Sequence, residues 1–176
     1  MTTLKLACIQ ANTGNDLPVN LATVRGMVRE AATHGARFVL TPEYTLMMDG
    51  SGRVMREQAL PADGGEPLTQ LRALAKDLGI WLLIGSLTLR TDEDRIANRS
   101  FLINDSGDVV AIYDKIHMFD VTLPDGKVIR ESSAYRPGDK AVTAETPWGK
   151  LGMSICYDLR FPGLYRALAQ AGAQLA

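Results

Sequence analysis

The stretch Leu151-Gly152-Met153-Ser154-Ile155-Cys156-Tyr157-Asp158-Leu159-Arg160-Phe161-Pro162 contains the residue best placed for covalent chemistry. A short apolar run delivers Cys156, charged residues follow, and Pro162 opens a helical pattern. That order predicts a strand, a sharp turn and a helix, with the thiol at the turn. Such a junction sets a side chain beyond the carboxyl end of a strand, where open α/β sheets keep their ligands. The partly positive amino end of a helix would also favour a thiolate. A lone cysteine is more often a small buried hydrophobe, so a nucleophile needs partners able to activate it.

Two charged residues stand at comparable places. Glu43 follows the strand-like run Ala36 to Thr41 and its stop at Pro42, and Lys115 follows the run Asp108 to Asp114. In a mostly parallel sheet these strand ends can converge. A carboxylate can then take the thiol proton, the thiolate can attack a carbonyl or nitrile carbon, and an ammonium can stabilise the oxyanion. Taken singly, a glutamate or a lysine is usually a solvated surface group, and only their common placement sets these two apart.

The elements that must position them follow from periodicity. Leu4 to Ala11 reads as a buried strand, and Leu21, Val24, Met27, Val28 and Ala31 recur at helical spacing between Pro18 and Gly35. Residues 45–65 read as a loop with a short helical piece around Val54 to Leu60. Leu68, Leu71, Leu74, Ala75 and Leu78 restore the helical period, closed by Gly79. Ile80 to Ser86 is continuously apolar, as strands covered on both faces are. Arg99 to Asn104 and Asp108 to Asp114 flank Asp105-Ser106-Gly107, a hairpin signal. Residues 117–140 form a long polar stretch of the kind that is usually functional. A second hairpin, Ala141 to Glu145 and Lys150 to Ile155, turns at Pro147-Trp148-Gly149 and delivers Cys156. Ala171 to Ala176 repeats the helix-to-strand passage seen from His34 to Leu40. A strand that stops so soon would strand its neighbours' backbone groups, so the sequence is expected to be the front part of a longer protein.

With 176 residues, 46% of them hydrophobic and 22% charged, one globular domain is expected. A formal net charge of -1, with basic residues scattered, gives no electrostatic footprint for nucleic acid or an anionic membrane. The amino terminus lacks the pattern of a signal peptide, and no apolar run approaches a membrane span. A cytoplasmic setting with free thiols is the expectation. The two histidines and two cysteines show no metal-ligand spacing, and no strand is followed by a phosphate-binding glycine fingerprint.

Thr41-Pro42-Glu43, Tyr113-Asp114-Lys115-Ile116-His117-Met118-Phe119-Asp120 and the Gly152 to Pro162 stretch resemble the three signature blocks of the carbon-nitrogen hydrolase, or nitrilase, superfamily. They look most like its Nit branch of small-amide amidases. The resemblance implies an α/β fold, a four-layer αββα sandwich of the nitrilase type, here incomplete because C-terminal strands and helices are missing. Residues 1–176 would form the N-terminal part of a single carbon-nitrogen hydrolase domain. By resemblance, Glu43, Lys115 and Cys156 are catalytic, and Glu131 is a second, supporting glutamate. The implied reaction is hydrolysis of a small carboxylate-bearing amide through a cysteine acyl-thioester, with no metal or organic cofactor. Homodimers or higher homo-oligomers are implied for the complete molecule.

Arg160, Tyr157, Asp158 and His117 are the candidate substrate-binding residues. Arg160 could grip a substrate carboxylate bidentately, or equally anchor Asp158 or Glu43. His117 can share a strand face with Lys115, although a structural histidine is the plainer expectation. Three alternatives stand beside the amidase: a non-catalytic or association-dependent fragment, nitrile hydrolysis, and a Cys-His thiol hydrolase using His117.

Overall fold

The computed structural model describes residues 3–92 and 94–176. The first strand, β1, is Leu6–Cys8, shorter than the apolar run predicts. Its neighbour β2, Phe38–Leu40, is equally short because Pro42 lies just beyond and offers no N–H to a ladder. Between them runs α1, Leu17–Thr33, whose first turn is capped by Asp16 accepting from the Val19 N–H at 3.0 Å. Gly35, at φ 85°, lets the chain leave the helix, and His34 Nδ1 sits 2.9 Å from the Glu30 carbonyl oxygen at that end.

Helix α2, Gly52–Glu57, and helix α3, Gly65–Leu78, precede the long strand β3, Trp81–Arg90. Strands β4, Ile96–Ile103, and β5, Val109–Asp114, complete a sheet in the order β1-β2-β3-β4-β5. The pairs β1·β2 and β2·β3 are parallel, whereas β3·β4 and β4·β5 are antiparallel. The sheet is therefore mixed and not mostly parallel. A connection as short as residues 91–95 can join only antiparallel neighbours. Two reversals return β5 to the direction of β2, so both strands still end on the same side.

The long polar stretch holds a small hairpin, β6, Asp120–Thr122, with β7, Val128–Arg130. A second hairpin, β8, Thr143–Thr146, with β9, Gly149–Gly152, leads to Cys156, and α4 spans Pro162–Gln170. After α4 the chain runs back beside β9, with the Gly152 N–H bonded to the Leu175 carbonyl at 2.7 Å.

Side chains alternate across the five-stranded sheet and fill two cores. Val39, Leu82, Phe101 and Ile103 meet Leu21, Val24 and Val28 of α1 and Leu68, Leu71 and Leu74 of α3. Their sequence neighbours Phe38, Trp81 and Leu102, with Tyr113, meet Leu151, Met153 and Ile155 around β9 and Leu164 and Leu168 of α4. The order of layers is helices, sheet, hairpin sheet, helix, which is the αββα order. The runs that read as apolar throughout are apolar because each face has its own core.

Candidate active site

Glu43 lies in a turn pinned from several sides. Thr41 Oγ1 accepts from the Gly85 N–H at 3.0 Å and lies 2.8 Å from Thr45 Oγ1. Ser86 Oγ accepts from the Tyr44 N–H at 2.8 Å. Tyr44 itself takes φ 53°, a left-handed conformation that a bulky residue holds only when its surroundings enforce it.

Lys115, directly after β5, is 2% exposed and lies between two carboxylates. Its Nζ is 2.9 Å from Glu43 Oε1 and 3.0 Å from both oxygens of Glu131. Burial alone would weaken its charged form, but Glu43 and Glu131 outweigh that, and its pKa stands above the ordinary lysine value. Asn98 Nδ2 donates to the same Glu43 Oε1 at 2.8 Å. Glu131 is saturated: the Tyr44 hydroxyl donates to Oε1 at 3.0 Å and the Phe119 N–H to Oε2 at 2.6 Å, in addition to Lys115. Burial, then nearby Tyr135 and the two carboxylates, raise the Tyr44 pKa and keep that hydroxyl a donor.

Cys156 opens a short 3₁₀ turn, Cys156–Arg160, at φ 49°. The sequence pattern favours a thiolate through a helix amino end, and here the structure differs. Helix α4 begins only at Pro162, beyond the 3₁₀ turn, so its dipole does not meet the sulfur directly. Partial burial, then the charge of Glu43 and the thiol's hydrogen bond to that carboxylate, push the thiol up to about 11, with Lys115 pulling the other way. Burial leads, and with one ammonium against two carboxylates the net negative charge of the cluster adds to it.

The structure thus brings together Glu43, Lys115, Glu131 and Cys156. Tyr157 stands edge-on to Phe119, with ring centroids 4.9 Å apart, and to Phe161 at 5.4 Å. Arg160 is exposed and, among the described residues, forms no ion pair with Asp158 or Glu43. Asp158, expected beside substrate, is fully buried, and its carboxylate accepts from protein donors. His117 is likewise turned to structure, with Nδ1 2.7 Å from Asp158 Oδ1 and its ring stacked 3.7 Å from that of Phe161. Asn98 and Tyr44 are the contributors that the sequence pattern does not single out. The sequence carries one signal for Asn98, a polar residue in the apolar run Ile96-Ala97-Asn98, and Tyr44 is marked only by adjacency to Glu43. Among the described residues no group of histidine, cysteine, aspartate and glutamate is arranged to hold a metal ion. No helix among them is long and apolar enough to cross a membrane.

This fold and site define a class, and residues 5–176 match the carbon-nitrogen hydrolase family. The chain belongs to that family. It is 38% identical over 180 residues to the deaminated glutathione amidase of Yersinia enterocolitica, covering 99% of this chain and 62% of that protein. It is 35% identical over 175 residues to the omega-amidase NIT2 of Homo sapiens, again covering 99% of this chain and 62% of the relative. In three dimensions it is similar to the C. elegans NitFhit protein, with a TM-score of 0.87 and 31% identity over 96% of this chain and 42% of that one. The chain therefore spans about three-fifths of the length of both curated relatives.

Proposed function

We propose that residues 1–176 are part of a carbon-nitrogen hydrolase domain that cleaves a small carboxylate-bearing amide through an acyl-thioester on Cys156. The observation that carries this is the buried Lys115 ammonium held between Glu43 and Glu131, with the Cys156 thiol near enough to Glu43 for that carboxylate to raise its pKa. A thiol pushed up to about 11 is protonated near neutrality, so it cannot attack unaided. Glu43 takes its proton as the sulfur bonds to the amide carbon, and the carbonyl oxygen becomes an oxyanion beside Lys115. The proton on Glu43 passes to the leaving nitrogen, ammonia departs, and a thioester remains. Water then gives a proton to Glu43 and attacks the thioester; the acid leaves and the thiol is restored. Glu131, with both oxygens occupied, holds Lys115 in place and has no free oxygen for proton transfer.

The substrate class is supported by the amidase names of the relatives and by the exposed Arg160 guanidinium beside the nucleophile turn. Arg160 pairs with the substrate carboxylate, and Tyr157 forms an aromatic wall next to it. We further propose that the enzyme works in the cytoplasm as a homodimer or larger homo-oligomer.

The test is ammonia release from a panel of small ω-amides, with Cys156→Ala assayed in parallel. Release that survives in Cys156→Ala would overturn the mechanism. Loss on His117→Ala with full retention on Lys115→Ala would replace it with a Cys-His hydrolase. For the substrate class, Arg160→Ala should raise KM for carboxylate-bearing amides and leave neutral amides unaffected.

A further inference from the structure

Asp158 is buried, and its two oxygens accept four hydrogen bonds from residues far apart in the chain. Oδ1 takes the His117 backbone N–H at 3.0 Å and the His117 ring at 2.7 Å. A carboxylate only accepts, so Nδ1 carries the hydrogen. Oδ2 takes the Tyr113 hydroxyl at 2.6 Å and the Ile155 N–H at 3.0 Å. Tyr113 and His117 stand two residues before and two residues after Lys115, and Ile155 immediately precedes Cys156. One carboxylate therefore straps both flanks of the lysine to the residue that leads into the nucleophile.

The strap answers two needs of the site. Cys156 sits at φ 49°, a backbone region that a non-glycine residue keeps only where its surroundings hold it there. Lys115 and Cys156 also come from different sheets, one after β5 and the other after β9, so no single ladder fixes their separation. Phe161, from the far end of the same turn, stacks on His117 with the rings 10° from parallel and holds the imidazole against the carboxylate.

We propose that Asp158 is a positioning residue of this site, which sets the placement of the Cys156 thiol against Lys115 and Glu43 without touching substrate. The proposal rests on the nucleophile role given above to Cys156. Each group that Asp158 holds lies within two residues of a reacting one, which is the mark that separates it from a carboxylate serving the fold at large.

Asp158→Asn puts an amide where two of the four donors now find an oxygen. Ångström-scale misplacement of reacting groups costs about a hundredfold, so kcat should fall on that order with KM unchanged. The pH midpoint for alkylation of Cys156 by iodoacetamide should drop below about 11, as the sulfur leaves Glu43. Tyr113→Phe removes a single donor and should shift both readouts in the same direction by less. Variants that melt earlier but keep kcat and the alkylation midpoint would overturn the proposal. If Asp158→Asn does not fold, Tyr113→Phe decides by the same two measurements. Alkylation needs no hydrolysis, so a protein silent toward every amide would refute the amidase function and leave this test standing.

Discussion

A lysine ammonium with 2% exposure, held between two glutamates, makes strong demands at the residue scale. Lys115→Met would leave two carboxylates facing each other without a cation, at a cost of about 3–5 kcal/mol. Urea unfolding at neutral pH should show that loss. Because Lys115 has a raised pKa in the folded state, its contribution is complete below the unfolded lysine value of about 10.4 and fades as pH rises through the folded value. The gap between wild type and Lys115→Met should therefore be flat near neutrality and close in strong alkali. Glu43 acts on the thiol with the opposite sign. Its charge and its hydrogen bond both raise Cys156, so Glu43→Gln should bring the alkylation midpoint below about 11 while abolishing turnover. A midpoint that stays or rises would remove Glu43 from contact with the sulfur. Glu43, Lys115 and Cys156 were legible because each follows a recognisable strand-like run. Asn98 and Tyr44 were not, since their hydrogen bonds to Glu43 and Glu131 join residues 55 and 87 positions apart, and no local pattern encodes such a meeting.

At the scale of elements, the turn that carries Glu43 depends on a gap in β3. A methyl group on Gly85 would lie 2.1 Å from the Thr41 carbonyl oxygen and 2.4 Å from that of Pro42. Gly85 thus lets the end of β2 press against β3 at the irregularity between Ile84 and Leu87. Gly138 performs the same service at the end of β5, where a methyl would lie 2.3 Å from the Asp114 carbonyl oxygen, next to Lys115. Gly85→Ala must push the Glu43 turn away. A loss of about 1–3 kcal/mol in stability and about a hundredfold in kcat/KM should follow, measured by urea unfolding and ammonia release. Unchanged activity would mean that the turn tolerates the shift. The helices α1 and α3 were plain from their apolar period, and the two larger hairpins from their turns. The β6–β7 hairpin leaves little trace in the sequence although Pro124-Asp125-Gly126-Lys127 is a good turn, because strands of three residues are too short to show alternation. Strand direction is hidden for a different reason: alternation marks a strand but is the same whichever way its neighbour runs.

For the whole molecule, the central sheet separates two cores, and only one of them supports the nucleophile. Leu102 and Ile103, adjacent in β4 and both fully buried, face opposite sides. Replacing either with alanine should cost about 2–5 kcal/mol. Leu102→Ala loosens the layer of β8, β9 and α4 that carries Cys156, so it should also lower kcat at temperatures where the protein stays folded. Ile103→Ala should cost stability alone, and equal losses of activity would show that the two cores are not separable. The layers could be anticipated from continuously apolar runs such as Ile80 to Ser86, but which neighbour each face would meet depends on contacts distant in sequence. Both tryptophans of the chain lie at the boundary between the two sheets, with Trp148 in the β8–β9 turn 6.2 Å from Trp81 and stacked on Phe38 at 5.9 Å. The protein thus carries a built-in optical gauge: indole emission follows the parting of the nucleophile-bearing layer from the sheet and is blind to loosening confined to α1 and α3.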